Sequence, residues 1–274
     1  MLFEIDKEKC LKCGACVKDC AFRVLKTGAE GYPEMPKPER CMQCQHCLAV
    51  CPVGAVKLNG HEAAGSCLSR DLPLPKPEEV ENWMKVRRST RQFKAGDVAR
   101  ETIERILKNL GNTPTGCNAR GLTFTCLPTR AATDKFRAEF IRAIEEHREG
   151  NHLLPRWLAV PAIRMREGRG DQFFRDAPGI LIISSDETNP NVTTPNEDVV
   201  AACVYFEMLA QAHGLATCWC GFLTLVQKEV PELLEKTLGL RRTTPFYAML
   251  FGYSAVRYPR GVQREDDATI VWKE

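Results

Sequence analysis

The clearest apolar periodicity lies in the last two thirds of the chain. From Glu78 to Arg88, the residues Val80, Trp83, Met84 and Val86 recur at helical intervals, and a second amphipathic helix is expected ahead of Pro114, capped by Asp97 and stopped by Gly111. Phe136, Phe140, Ile141 and Ile144 form a stripe along a third helix, which reads as a core face. Two segments break this rhythm. Gly179 to Ile183 and Phe246 to Phe251 are short and continuously apolar, the mark of buried strands. Between them Asp198 to His213 is almost entirely apolar or small, with Val199, Val200, Val204, Phe206, Met208 and Leu209. A helix buried nearly all round is expected there, ending at Gly214.

The first sixty or so residues are organised by cysteine instead. Cys10, Cys13, Cys16 and Cys20 spell CxxCxxCxxxC, and Cys41, Cys44, Cys47 and Cys51 repeat it; the same offset lays Val24-Leu25-Lys26 on Ala55-Val56-Lys57, so the segment is duplicated. A 4Fe-4S cubane needs four converging thiolates, and a CxxCxxC turn supplies three of them. In a two-cluster arrangement the copies trade fourth ligands, giving one set of Cys10, Cys13, Cys16 and Cys51 and another of Cys41, Cys44, Cys47 and Cys20. Zinc is the competing metal, although all-cysteine zinc sites usually separate two CxxC pairs. Disulfides fit less well. The opening MLFEIDKEKC lacks the apolar stretch of an export signal, so a reducing, cytoplasmic setting is expected. Over positions 1 to about 60 these residues, with Pro52 after the last cysteine, resemble bacterial two-cluster ferredoxins. Ala21 stands where the first copy of that pattern carries proline, a turn residue rather than a ligand.

With 274 residues the chain is long enough for a second domain with its own core. A net charge of +3 shows no nucleic-acid footprint. No apolar run approaches the ~18 residues of a membrane span. Residues 1–62 hold nine Lys/Arg and eight Asp/Glu, so cluster loading would leave that part acidic. Ser69 to Glu79, with three prolines and alternating charge, reads as an extended connector. The expected organisation is a two-cluster domain at 1–62, a linker at 63–79 and a second domain at 80–274.

The second domain carries four notable segments. In Arg87-Arg88-Ser89-Thr90-Arg91-Gln92-Phe93, three guanidinium forks suited to phosphate oxygens surround a hydroxyl, and Arg87 and Arg91 share a face if the preceding helix continues. A basic helix end in solvent is the plainer alternative. Pro114-Thr115-Gly116-Cys117-Asn118, then Leu215 to Gly221, then a tail with Arg257, Arg260 and Arg264 follow in order. Together, over about residues 80 to 274, they resemble the FMN-dependent nitroreductase family. The resemblance implies an α+β flavoprotein domain behind a ferredoxin-like domain, a homodimer with FMN between protomers, and the 198–213 helix in the dimer core. It places Arg87, Arg88, Ser89 and Arg91 on the FMN phosphate with Arg260 returning to it. Pro114, Thr115, Gly116 and Asn118 would lie against the ring, often from the partner, and Thr217, Trp219, Cys220 and Gly221 would hold it. The thiols of Cys218 and Cys220 read as buried and free, not as ligands.

Residues 153–169 carry Trp157, Met165 and the arginines 156, 164, 166 and 169. They read as a lid that grips an anionic substrate or docks an acidic donor, or as a solvated basic loop. His46, His147, His152 and His213 form no acid-base pair and no nucleophile triad is visible, which leaves the hard chemistry to the cofactor. No GxGxxG follows a strand, so no dedicated nicotinamide domain is expected. The expected function is an iron-sulfur flavoprotein oxidoreductase. Reduced ferredoxin, flavodoxin or NAD(P)H would supply electrons through two 4Fe-4S clusters to FMN, which would reduce a nitroaromatic, quinone or activated alkene. The rivals are a non-enzymatic electron carrier or redox sensor, and a dehalogenase-type flavoenzyme on the same fold.

Overall fold

A computed structural model of the chain describes residues 3–150, 154–264 and 267–273, so His152 and the start of the expected lid at Leu153 lie outside the described residues. The chain divides into two units, Met1–Lys76 and Pro77–Glu274. The first contains β1 (Phe3–Ile5), α1 (Ala15–Lys18), β2 (Lys26–Thr27), β3 (Pro33–Glu34), α2 (His46–Ala49) and β4 (Val56–Leu58). β1 and β4 pair antiparallel, with Phe3 opposite Leu58 and Ile5 opposite Val56. The one-turn helices α1 and α2 follow equivalent left-handed residues, Gly14 in the first repeat and Gln45 in the second. A small core of Leu25, Leu48, Val56 and Leu58 packs with the Cys16 and Cys47 side chains. Units with so little apolar surface to bury usually depend on metals or disulfides for stability.

The second unit runs α3 (Pro77–Val86), α4 (Arg100–Asn109), β5 (Leu122–Leu127), α5 (Arg130–Glu149), α6 (Arg156–Arg166), β6 (Gly179–Ser185), α7 (Pro195–Ala212), β7 (Ala216–Trp219), α8 (Phe222–Glu229), α9 (Pro231–Leu238) and β8 (Phe246–Gly252). Its sheet has the order β5-β6-β8-β7, and every neighbouring pair is antiparallel. Ile180, Ile182, Ala248 and Leu250 face one core, which α5, α6, α8 and α9 cover. Leu181, Ile183, Met249 and Phe251 face the other, under α4 and α7. Side chains alternate between faces along a strand, and here both faces are apolar, which is why β6 and β8 show no polar alternation. The result is an α+β unit with helices on both sides of an antiparallel sheet.

Four expectations change. Asp97 does not cap α4, whose preceding residue Ala99 makes no side-chain cap. Its carboxylate instead accepts the Arg130 N–H at 2.6 Å, at the start of α5, where Thr129 Oγ1 accepts the Ala132 N–H at 3.2 Å. Gly111 lies inside a 3-10 turn, Leu110–Asn112, that prolongs α4. The connector is not extended throughout: Ser69–Asp71 forms a 3-10 turn, and Pro77 to Glu79 open α3, where proline's missing N–H costs nothing. Finally, α7 is not buried all round within one chain. Val199, Ala202, Cys203 and Phe206 are buried, while Val200, Val204, Tyr205 and Met208 are exposed by 37 to 47%.

Gly214 does end α7. Its φ of +73° lets the Leu215 N–H close back on the Ala210 carbonyl at 2.9 Å. No helix among the described residues is long and apolar enough to cross a membrane.

Candidate functional site

The fold sorts the repeated cysteines into crossed sets. Cys10, Cys13, Cys16 and Cys51 line one small space, and Cys20, Cys41, Cys44 and Cys47 line another. Each set receives a backbone N–H on sulfur, from Ala55 to Cys51 Sγ at 3.2 Å and from Gln43 to Cys41 Sγ at 3.4 Å. Burial pushes the Cys47 thiol up to about 11 and raises Cys16. Thiolates in such surroundings need a metal's positive charge beside them.

The Arg87–Phe93 segment is extended rather than helical. α3 stops at Val86, so Arg87 and Arg91 do not share a helical face. Ser89 bridges Thr217 in parallel, with the Thr90 N–H on the Thr217 carbonyl at 2.8 Å; Phe93 bridges Ser254, with the Lys94 N–H on the Tyr253 carbonyl at 2.8 Å. These bonds satisfy the backbone as a short edge beside β7 and the end of β8. Arg87 Nη1 lies 3.4 Å from Oε1 of the buried Glu207, which also accepts the Thr217 hydroxyl at 2.9 Å. Arg88 donates to the carbonyls of Lys85, at 2.8 Å, and Arg87, so its fork caps the end of α3. The exposed Arg91 donates to the Ser89 carbonyl, at 3.4 Å.

Two adjoining clefts open on this segment. One, of about 150 Å³, is lined by Arg87, Arg88, Thr90, Gln211, Thr217 and Ser254, among others. The other, of about 300 Å³, is lined by Glu81, Met84, Lys85, Arg87, Arg88, Val262 and Arg264. The tail arginine at the cleft is thus Arg264, whereas Arg260 is exposed and lines neither cleft. The cause is local: the Val262 N–H bonds the Lys85 carbonyl at 3.2 Å and draws the tail back over the end of α3.

The Pro114–Asn118 loop sits elsewhere. The Gly116 N–H donates to Asp198 Oδ1 at 2.9 Å, and the Thr194 hydroxyl donates to the same oxygen at 2.9 Å. A Cβ at Gly116 would meet Thr194 Oγ1 at 2.1 Å, so only glycine fits, and Cys117 and Asn118 follow with φ of 52° and 53°. Asp198 belongs to the first turns of α7 and Gln211 to its last. At 1.5 Å per residue their separation is about 20 Å. One chain therefore does not bring this loop to its own arginines.

In the Leu215–Gly221 segment, Thr217 is buried on Glu207 and Trp219 lies edge-on to Tyr247, with ring centroids 5.1 Å apart. Cys220 is buried within this segment. Its thiol is in the core against the Phe173 carbonyl at 3.6 Å and is pushed up to about 12 by burial, while its N–H bonds the Ala248 carbonyl at 2.9 Å. Gly221 precedes the first turn of α8. The arginine-rich stretch is the helix α6 rather than a loop. Trp157 there packs with Phe222 in the core, Arg166 pairs with Glu145 at 3.1 Å, and Arg169 pairs with Glu167. Asp198 and Glu207 escaped the sequence reading, although an acid inside an otherwise apolar helix is itself a signal, because it must find a partner once buried.

Comparison with known proteins adds the following. Residues 84–253 match the model of the nitroreductase family, and residues 2–52 match that of the 4Fe-4S dicluster domain. The chain is 35% identical over 65 residues to Ferredoxin-3 of Nostoc sp., covering 18% of this chain and 67% of that protein. It is 32% identical over 59 residues to a ferredoxin-like protein in the nif region of Sinorhizobium fredii, covering 19% and 89%. A nitroreductase with bound FMN from Bacteroides fragilis superposes with a TM-score of 0.53 at 19% identity, over 71% of this chain and 99% of that one. Another with bound FMN, from Desulfitobacterium hafniense, gives 0.52 at 21% identity, over 71% and 98%. At these identities the structural likeness concerns the fold.

Proposed function

Because this chain belongs to the nitroreductase family and carries an N-terminal 4Fe-4S dicluster domain, we propose that it is an FMN-dependent oxidoreductase fed by its own two clusters. Electrons enter from a low-potential donor, reduced ferredoxin, flavodoxin or NAD(P)H, and leave to a small organic acceptor such as a nitroaromatic, quinone or activated alkene. The observation that carries this reading is the pairing, in one polypeptide, of crossed four-cysteine sets with a cationic cleft on a nitroreductase-type sheet. Thiolate-held iron also suits a reducing compartment, the cytoplasm.

The residues of the cleft fit the phosphate of FMN. Lys85, Arg87 and Arg264 line it, Ser89 stands at the head of the Thr217 bridge, and Arg88 fixes the α3 end that shapes it. Bound FMN supplies the exchange between single electrons and hydride. Thr217 holds its segment through Glu207 and Thr90, so the backbone from Trp219 to Gly221 is fixed beside the arginines. The Pro114–Asn118 loop, about 20 Å away along α7, serves the flavin of a second copy. This separation supports a homodimer with the site shared between protomers. The exposed Val200, Val204, Tyr205 and Met208 are the apolar face such a partner covers.

Two measurements test these points. Changing Val204 and Tyr205 together to aspartate is expected to give a monomer by sedimentation that has lost its flavin yet keeps its iron-sulfur absorbance; a flavin-loaded monomer contradicts the shared site. Anaerobic assays crossing NADH, NADPH, reduced flavodoxin and reduced ferredoxin with the three acceptor classes should give turnover for at least one pair. If the acceptors are never reduced while partner proteins are, the chain is an electron carrier.

A further inference from the structure

The two cysteine repeats share a backbone and differ in charge. In the repeat register Lys12 corresponds to Gln43 and Gly14 to Gln45. The backbone treats them as equivalents, with φ of 53° and 55° for the first pair and 71° and 61° for the second. Lys12 lines the space enclosed by Cys10, Cys13, Cys16 and Cys51. Its counterpart Gln43 is neutral and accepts a hydrogen bond from Asn59 Nδ2 at 2.9 Å.

Lys12 is also held in place. Its Nζ donates to the Glu30 carbonyl oxygen at 2.9 Å and lies 4.2 Å from the centroid of the Tyr32 ring. These two contacts are uncharged; the Glu30 carboxylate also attracts the ammonium, but its ion-pair partner is Lys7. Neighbouring Lys7, 5.1 Å from the same ring centroid, is instead paired with the Glu30 carboxylate at 2.9 Å. Around the second set, Asp19 and Arg23 flank Cys20 with opposite charges, and neither lines the space. His46 does line it, and faces Asp19 at 3.4 Å, so that when protonated it forms a neutral pair. Among the described residues lining either space, Lys12 is the one permanent charge.

We propose that Lys12 sets the order in which the clusters fill: it makes the cluster of Cys10, Cys13, Cys16 and Cys51 the more easily reduced, and a single electron entering the unit rests there. Reduction adds one negative charge to a cluster, and a cation carried by a residue lining its space favours that state. The step is a bare transfer. The donor loses one electron, the cluster gains it, and no bond or proton moves. The inference rests on the cluster reading given above and adds a direction to it.

The test is a dithionite titration of the whole anaerobic chain, followed by electron paramagnetic resonance, for the parent, Lys12→Gln, Lys12→Arg and Gln43→Lys. Lys12→Gln keeps the backbone, because glutamine already occupies that conformation at position 43. The parent is expected to reduce in two separate steps. Lys12→Gln should make the first-reduced cluster about tenfold harder to reduce, equivalent to about 59 mV for a one-electron couple. Lys12→Arg should restore it, and Gln43→Lys should ease reduction of the other cluster by a similar factor. Clusters that titrate together in the parent, or that Lys12→Gln and Gln43→Lys leave unmoved at full iron content, overturn the proposal. Iron and sulfide analysis separates that failure from failure of the cluster reading itself, which would leave no cluster signal in the parent.

Discussion

Asp171→Ala is expected to destabilise the second unit by about 3–5 kcal/mol, the typical loss when one member of a buried ion pair is removed. Asp171 and Arg137 are 3% and 7% exposed and meet at 2.8 Å through Oδ2 and Nε. Asp171 Oδ1 also accepts the N–H groups of Phe173 and Phe174, at 3.0 and 2.8 Å, and Oδ2 accepts that of Asp176 at 3.2 Å. Arg137 is equally occupied, donating to Thr133 Oγ1 at 2.9 Å and to the Ala177 carbonyl at 2.6 Å. Alanine would leave the buried guanidinium with only the half-exposed Asp134, at 2.6 Å, as a charged partner, and would free the loop whose Arg175 and Asp176 are held at φ of 55° and 53° just before β6. Asp171→Asn, which keeps an acceptor, should fall between. Denaturant unfolding followed by tryptophan fluorescence measures this, and a loss below about 1 kcal/mol would show that the pair does not hold α5 to the loop.

The second large effect concerns the flavin. Arg87→Ala combined with Ser89→Ala should weaken FMN binding about hundredfold or more, since each charge-assisted hydrogen bond contributes about 1.5–3 kcal/mol. The brown iron-sulfur absorbance should survive, and Cys13→Ala should reverse the outcome, losing cluster absorbance and retaining yellow. Arg87 has a second role, because its loss leaves the buried Glu207 without a charged partner. Adding Glu207→Gln to the double variant should therefore recover stability without recovering FMN. Equilibrium titration by flavin fluorescence distinguishes the two. Unchanged affinity in the double variant would place the phosphate elsewhere.

What could be read from the sequence was whatever depends on local pattern. The runs at β6 and β8 announced buried strands because both faces of the sheet are covered, and the cysteine spacing announced its clusters because each CxxCxxC turn is self-contained. What failed depends on chain return. Asp97 has its partner 33 residues away at Arg130, so nothing near it indicates which helix it serves. Which tail arginine lines the cleft, Arg264, depends on a single backbone bond from Val262 that fixes the path of the tail. The arginine motif would have shared a helical face had α3 continued; it forms a strand edge instead, since the free backbone of Thr217 was invisible in sequence. Apolarity around α7 was legible, but not that one side faces the core and the other faces out of the protomer.

The central claim is that the clusters feed the flavin. It is tested most directly by anaerobic stopped-flow mixing of the loaded chain with a reduced one-electron donor protein, beside Cys13→Ala loaded with flavin. The account predicts that cluster absorbance bleaches first and flavin absorbance follows in the parent, while the flavin of Cys13→Ala, still reducible by light, stays oxidised on that timescale. Equal flavin bleaching in both proteins, or bleached clusters beside a flavin that remains oxidised, would contradict it.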